Sequence, residues 1–202
     1  MKIEVIYLAA GFGSRFGSNK LLYELKGKAL YRYGLDMLLS VLEDTADICS
    51  VTVVTQYDEI EAYVMQQRKL HSGMVRCVRN PHSERGISSS IQIGLLAGDA
   101  SLADAYLFYV ADEPYLKKET LLQMLSAYKN GTKGILCMKS GTDRSNPVLF
   151  GRKYRRELLA LSGDAGGKQI IARFREDVGE FFVADKEELI DIDYNTQRGV
   201  NG

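Results

Sequence analysis

Short apolar runs of strand length alternate with segments whose apolar residues recur at helical spacing, and nothing else in the chain constrains the fold as strongly. The runs occupy 5–9, 51–54, 75–78, 106–110, 135–138 and 148–150, each rich in β-branched or aromatic residues. After the first run, Leu30, Tyr33, Gly34, Met37, Leu38, Val41 and Leu42 fall on one helical stripe. Ile60, Tyr63 and Val64 repeat the pattern, as do Ile87, Ile91, Gly94 and Leu95, and then Leu121, Leu122, Leu125 and Tyr128. Strand, helix, strand in succession predicts βαβ crossovers and a largely parallel sheet covered by helices on both faces. The expected class is therefore α/β, a three-layer αβα arrangement of Rossmann-like type with a mostly parallel central sheet. Ligands of such sheets sit beyond the carboxyl ends of the strands.

With 202 residues, no Pro/Ser-rich linker and no internal repeat, a single domain over 1–202 is expected. The acidic stretch 176–193 reads as solvated surface. Lys and Arg number 26, and so do Asp and Glu, giving a formal charge of zero. A general nucleic-acid binder needs a basic excess, so neither nucleic acid nor a membrane surface is expected as a partner. The apolar runs are far shorter than the ~20 residues of a spanning helix. The N-terminal run is interrupted by Glu4 and leads into a glycine-rich turn, which reads as a first strand in a cytoplasmic protein and not as a signal peptide. Cys49, Cys77 and Cys137 form no C-x-x-C pair and suggest neither a disulfide framework nor a zinc site.

Directly after the first strand stands Leu8-Ala9-Ala10-Gly11-Phe12-Gly13-Ser14-Arg15-Phe16-Gly17-Ser18-Asn19-Lys20. Glycines here let the backbone approach a ligand and turn its N–H groups toward an anion. Arg15 supplies a planar, bidentate fork for phosphate oxygens, and Lys20 a mobile point charge. The dinucleotide fingerprint G-x-G-x-x-G fails, because the third glycine arrives one position late at Gly17, and no window supplies G-x-x-x-x-G-K-[ST].

The pattern G-x-G-x-R-x-G-x-x-K resembles the signature of nucleotidyltransferases with a nucleotide-diphosphosugar-transferase fold. It is most similar to the branch that forms molybdenum cofactor cytidylyl- and guanylyltransferases. The resemblance implies that Leu8, Ala9, Ala10, Gly11, Gly13 and Ser14 cradle an NTP, with Arg15 on the β,γ-phosphates and Lys20 near the α-phosphate. Gly27-Lys28-Ala29-Leu30 is similar to the family's G-K-P-L, with alanine for proline. Asn80, Gly86, Ser90 and Gly94 match its spaced N…G…S…G stretch, which implies nucleotide contact from Asn80, Gly86 and Ser90. Ser88, Ser89 and Ser90 are also helix-capping types, so capping and ligand contact stand side by side as readings.

The apolar strand 106–110 runs into Ala111-Asp112-Glu113-Pro114, which puts a carboxylate just past a strand end. Asp112 resembles the metal-binding aspartate of the family's D-Q-P motif, with Glu113 in place of glutamine. Mg²⁺ is the implied cofactor, since it takes one or two carboxylates plus substrate phosphates. Asp191-Ile192-Asp193 is similar to the terminal D-I-D-T-P and implies Asp193 as a second ligand. Asn146-Pro147 and Gly163-Asp164-Ala165-Gly166-Gly167-Lys168 are similar to acceptor-side elements, which implies substrate contacts from Pro147, Asp164, Gly166 and Lys168. Asp164 also reads as a residue near a helix N-cap.

Transfer of a nucleotidyl group from an NTP to a phosphorylated acceptor, with pyrophosphate leaving, is the expected reaction. The guanylyl branch tends to read L-A-G-G, whereas Ala10 gives L-A-A-G, so CTP is the expected donor and molybdopterin the expected acceptor. An apo-molybdoenzyme is a further partner the resemblance implies. Two rivals stay open: a transferase acting on sugar phosphates or other small-molecule phosphates, and a carrier module that binds a nucleotide-modified cofactor for a molybdoenzyme.

Overall fold

Alternate side chains of the first strand, β1 (Ile3–Ala9), go to opposite sides, as pleating requires, and every one of its residues is buried. Ile3, Val5, Tyr7 and Ala9 enter one apolar cluster, and Ile6 and Leu8 the other. The strand is thus covered on both faces. The structure is a computed structural model and describes residues 1–11, 19–71, 73–99 and 101–192. A one-turn 3₁₀ helix, Lys20–Leu22, and a short hairpin of β2 (Glu24–Leu25) and β3 (Lys28–Ala29) lead to α1 (Leu30–Asp44). Then follow β4 (Ile48–Thr55), α2 (Asp58–Leu70), β5 (Val75–Arg79), α3 (Ile87–Ala97), β6 (Ala105–Val110) and α4 (Lys118–Asn130). The chain continues through β7 (Ile135–Ser140), β8 (Asp143–Gly151), α5 (Arg155–Leu159), α6 (Lys168–Arg173) and β9 (Val178–Phe182).

The central sheet has seven strands in the order β5-β4-β1-β6-β8-β7-β9. All neighbouring pairs are parallel except those of β8, which runs antiparallel to both β6 and β7. Helices α1, α2 and α4 cover one face and α3, α5 and α6 the other, as their buried residues divide between the two clusters. The expected three-layer, mostly parallel α/β architecture is what the structure has, with β8 as the exception.

One expectation is corrected. The stretch read as acidic surface contains β9, which pairs in parallel with β7 at the sheet's edge. Its Glu180 is not idle polarity: Lys139 and Arg144 each pair with it at 2.7 Å, tying the edge strand to its neighbours. None of the described helices is long and apolar enough to cross a membrane.

Helix α1 lies close to the sheet because its contact point has no side chain. A Cβ on Gly34 would sit 2.7 Å from the Tyr7 hydroxyl and 2.9 Å from the Tyr109 ring. Tyr7 is fixed, since its hydroxyl donates to the Tyr31 carbonyl at 2.7 Å. Gly34→Val is expected to cost about 2–3 kcal/mol by overpacking and to lower Tm by about 5–10 °C. Calorimetric melting checks this; an unchanged Tm would show that α1 can ride off the sheet freely.

Candidate active site

At the carboxyl end of β1 the chain leaves the sheet through Ala10 and Gly11. Two side chains from the end of β4 hold this exit: Gln56 Nε2 donates to the Ala10 carbonyl at 2.9 Å, and the Tyr57 hydroxyl donates to the Gly11 carbonyl at 2.7 Å. Neither residue stands out in the sequence, because both look like ordinary polar turn residues. The signal that could have found them is their place at the end of the strand next to β1. Arg15, Gly13, Ser14 and Asp193 lie outside the described residues.

The chain is again described from Asn19, whose side chain accepts from the Leu21 amide and starts the 3₁₀ turn that carries Lys20. Lys20 Nζ reaches Asp112 Oδ2 at 3.1 Å, across 92 residues of sequence. Asp112 stands two residues past β6, which is paired to β1 through Leu8 and Val110. Parallel pairing of β1 with β6 therefore brings the loop lysine and the strand-end aspartate together.

A cavity of about 410 Å³ opens between these elements, with Leu8, Ala10, Gly11, Gly86, Ser90 and Asp112 in its wall. Gly86 has φ +91°, in the region that favours glycine, and a Cβ there would lie 2.5 Å from Asp164 Oδ1 and from the Gly163 backbone. Glycine is thus required twice at the start of α3. The same contact, with Ser88 N donating to the Gly163 carbonyl at 3.2 Å, docks the 163–164 turn onto the helix start.

Asn80 and Ala9 do not line this cavity. Asn80 is fully buried, and both protons of its amide are engaged, with Ser89 Oγ at 2.8 Å and Ser90 Oγ at 2.9 Å, while its carbonyl oxygen accepts from His82 N. It fixes the serines at the start of α3, of which Ser90 lines the cavity. Ser89 instead donates back to the Gly86 and His82 carbonyls. Ala9 points into the opposite core, as pleating dictates, and its carbonyl accepts from Thr55 Oγ1.

A second cavity, of about 740 Å³, adjoins the first and shares Leu8, Ile87, Val110 and Asp164 with it. It runs under β8 toward α6. Asp164, Gly166 and Lys168 line it, and so do Arg144 and Arg175, which the sequence reading passed over. Asp164 is not a helix cap: α6 begins after Gly167 and has no side-chain cap. Pro147 itself does not line the cavity; its neighbours Asn146 and Val148 do. Pairing between β7 and β8 jumps from Cys137–Val148 to Met138–Ser145, so Asn146 and Pro147 form a bulge of two extra residues. A proline cannot donate to the ladder and suits such a bulge. The bulge frees the Asn146 side chain, whose Nδ2 donates to Glu113 Oε1 at 3.0 Å.

Glu113 is only 5% exposed. Burial pushes its carboxyl up to about 8, helped by the nearby charges of Asp112 and Asp191 and opposed by the Asn146 amide. Among the described residues no three acidic, histidine or cysteine side chains come together as a metal cage. A single aspartate at the cavity edge instead matches the donor set of Mg²⁺, a cation that keeps waters and takes much of its coordination from substrate phosphates.

The exit of β1 through Gly11, the Lys20–Asp112 pair and two cavities with four wall residues in common suit an α/β protein that handles a nucleotide. The chain belongs to the family of MobA-like NTP transferase domains, whose model matches residues 5–178. Among curated proteins it is 25% identical over 201 residues to the bifunctional protein GlmU of Idiomarina loihiensis, covering 94% of this chain and 39% of the relative. The chain therefore spans well under half the length of that relative. Among solved structures it is similar to Rv0371c of Mycobacterium tuberculosis H37Rv, with TM-score 0.75, 21% identity and coverage of 99% and 98% of the two chains. Rv0371c is also known as a manganese complex, to which the likeness has TM-score 0.65 and 19% identity over 91% and 89% of the chains. The 4-diphosphocytidyl-2C-methyl-D-erythritol synthase of Anaerococcus prevotii is similar with TM-score 0.74 and 17% identity, over 98% and 94%. The likeness to these structures is one of fold.

Proposed function

We propose that this protein transfers a cytidylyl group from CTP to the phosphate of molybdopterin, releasing pyrophosphate. The observation that carries the reading is the Lys20–Asp112 pair at 3.1 Å, with Asp112 in the wall of a cavity that shares Asp164 with a second, larger one. Donor in the first and acceptor in the second would meet at the shared wall. Ala10 in the wall of the first cavity, where the guanylyl-like pattern has glycine, supports CTP, as does the cytidylyl chemistry in the name of the A. prevotii neighbour.

An acceptor phosphate oxygen forms a bond to the α-phosphorus while the bond from that phosphorus to the bridging β-oxygen breaks, and pyrophosphate leaves with the electron pair. The attacking phosphate is already an anion, so no covalent enzyme nucleophile and no strong base are needed. Catalysis then comes from positioning and from fixed charge. Gly11 and Gly86 let backbone approach the nucleotide, and Lys20 offers its ammonium to the α-phosphate oxygens. Asp112, with Asp193 as a second carboxylate, would hold Mg²⁺, which when bound supplies neutralisation of triphosphate charge. In the free protein Asp112 has Lys20 as a partner, so the site keeps its charges compensated before substrate arrives.

The test is a screen of the four NTPs against molybdopterin and a panel of sugar phosphates, read as pyrophosphate release and by mass of the product. CTP with molybdopterin should give the fastest release. Preferred turnover of a sugar phosphate would replace the acceptor in this reading. Tight binding of a cytidylylated cofactor with no release from any pair would mark a carrier.

A further inference from the structure

Helix α6 is a partition between two cavities, and only one of them enters the reaction proposed above. Along the helix and the turn after it, Lys168, Ile171, Ala172 and Arg175 line the larger cavity, at i, i+3, i+4 and i+7. The residues in between, Gln169, Ile170, Arg173 and Phe174, line a third cavity of about 470 Å³ on the other side, together with Arg156, Glu157, Ala160 and Leu161 of α5 and its end. The two cavities have no wall residue in common. A cleft of this size is within the ~300–1,000 Å³ range of small-molecule sites.

This outer cleft combines an apolar floor with unpaired cations. Leu161 and Ile170 reach it from the buried core, and Phe174 packs edge-on against Tyr154 with ring centroids 5.1 Å apart. The Arg173 guanidinium lies over the Phe174 ring at 5.2 Å. Such a contact uses the face of the guanidinium and leaves its in-plane N–H donors open. Arg156 and Arg173 are both exposed, and neither side chain makes an ion pair or hydrogen bond among the described residues, not even with Glu157 of the same wall. The adjacent Arg155, by contrast, is committed to the Leu95 carbonyl at 3.2 Å. Two guanidiniums against one carboxylate leave the wall positive, and planar forks beside an apolar floor suit a flat ring that carries a carboxylate or a phosphate. We propose that the cleft between α5 and α6 is a second ligand site, separate from donor and acceptor, for a small aromatic anion: its ring lies against Leu161, Ile170 and Phe174, and its anionic group is held by Arg156 and Arg173. Glu157 disfavours a polyanion such as a triphosphate, which keeps the nucleotide donor out.

The site stands apart from the transfer reaction, and its test uses neither NTP nor acceptor. Binding of 1-naphthyl phosphate and of 1-naphthoate to the native protein is measured by calorimetry, with inorganic phosphate as the control without a ring. At least one aromatic probe should bind saturably, at one equivalent and at least about tenfold tighter than inorganic phosphate; the tighter of the two identifies the anion. Replacing both cations, by Arg156→Gln with Arg173→Gln, should weaken that binding at least about tenfold. Ala160→Trp, which fills the cleft and leaves its charges in place, should do the same. Lys168→Gln, on the other face of α6, should leave the affinity within about twofold. Melting identifies any variant that fails to fold, and the remaining cleft variant then decides. No saturable binding of either aromatic probe, inorganic phosphate binding as tightly, or affinity unchanged in a folded cleft variant would overturn the assignment. Loss in Lys168→Gln with none in the cleft variants would put the probe in the larger cavity and overturn it equally.

Discussion

Asp112→Asn should lower the rate of pyrophosphate release about 10³-fold while leaving Tm within about 2 °C of the native value. The substitution keeps size and removes one charge. Its structural role is small: Asp112 is partly exposed, its ion pair with Lys20 is of the kind worth at most about 1 kcal/mol, and the Ile192 amide bonds to its backbone carbonyl, which the change does not touch. Strand β6 is buried through 105–109 and holds the position in either variant. In the proposed reaction, what the substitution removes is the anionic ligand beside the triphosphate. A hydrated Mg²⁺ gives up its waters reluctantly and needs such a ligand to remain there. Titrating Mg²⁺ against rate for both proteins measures the effect. An identical metal requirement in the variant would make Asp112 a turn residue and remove the centre of the mechanism.

Lys20→Ala is expected to cost about 10²-fold in kcat with a smaller change in KM, since one preorganised charge at the reacting phosphorus is worth about 3 kcal/mol in the transition state. The lysine sits on a short 3₁₀ turn whose cap is Asn19 and whose packing residue is Leu21, so truncation at Lys20 leaves the turn's own supports in place. Combining it with Asp112→Asn should give less than the product of the two single losses, because the pair acts on one substrate group. Turnover at the native rate in Lys20→Ala would show that the loop does not meet the α-phosphate.

The α/β alternation was legible because each buried strand is a short apolar run and each main helix carries an apolar stripe, as Leu38, Val41 and Leu42 do on α1. Strand β9 was not, since Val178-Gly179-Glu180-Phe181-Phe182 lies at an edge, is only partly buried and mixes glycine and glutamate into the run. The reversal of β8 was missed because the apolar runs alone carry no direction, although a two-residue connection, Gly141-Thr142, permits only antiparallel pairing of β7 and β8. At the site, Lys20 and Asp112 could be matched by motif, and the structure brings them to 3.1 Å. Asn80 looked like a ligand-binding residue because a buried asparagine and a binding asparagine are the same letter; only the two serines on its amide tell them apart. Glu113 could be seen as a departure from a pattern, but its burial and its unpartnered oxygen needed coordinates.

The inverted strand has a consequence for how this protein could change its trade. Because β8 runs against its neighbours, the larger cavity is built from a bulge inside a strand and from the segment around α6, while the smaller one is built from the loop after β1 and the start of α3. Few residues belong to both, chiefly Leu8, Ile87, Val110 and Asp164. Replacing residues 144–148 and 166–175 would therefore redraw the larger cavity, the acceptor half of the proposed reaction, and leave the smaller one untouched. The architecture separates inheritance of the donor from invention of the acceptor, and a descendant of this chain could take up a new phosphorylated partner without relearning how to hold a triphosphate.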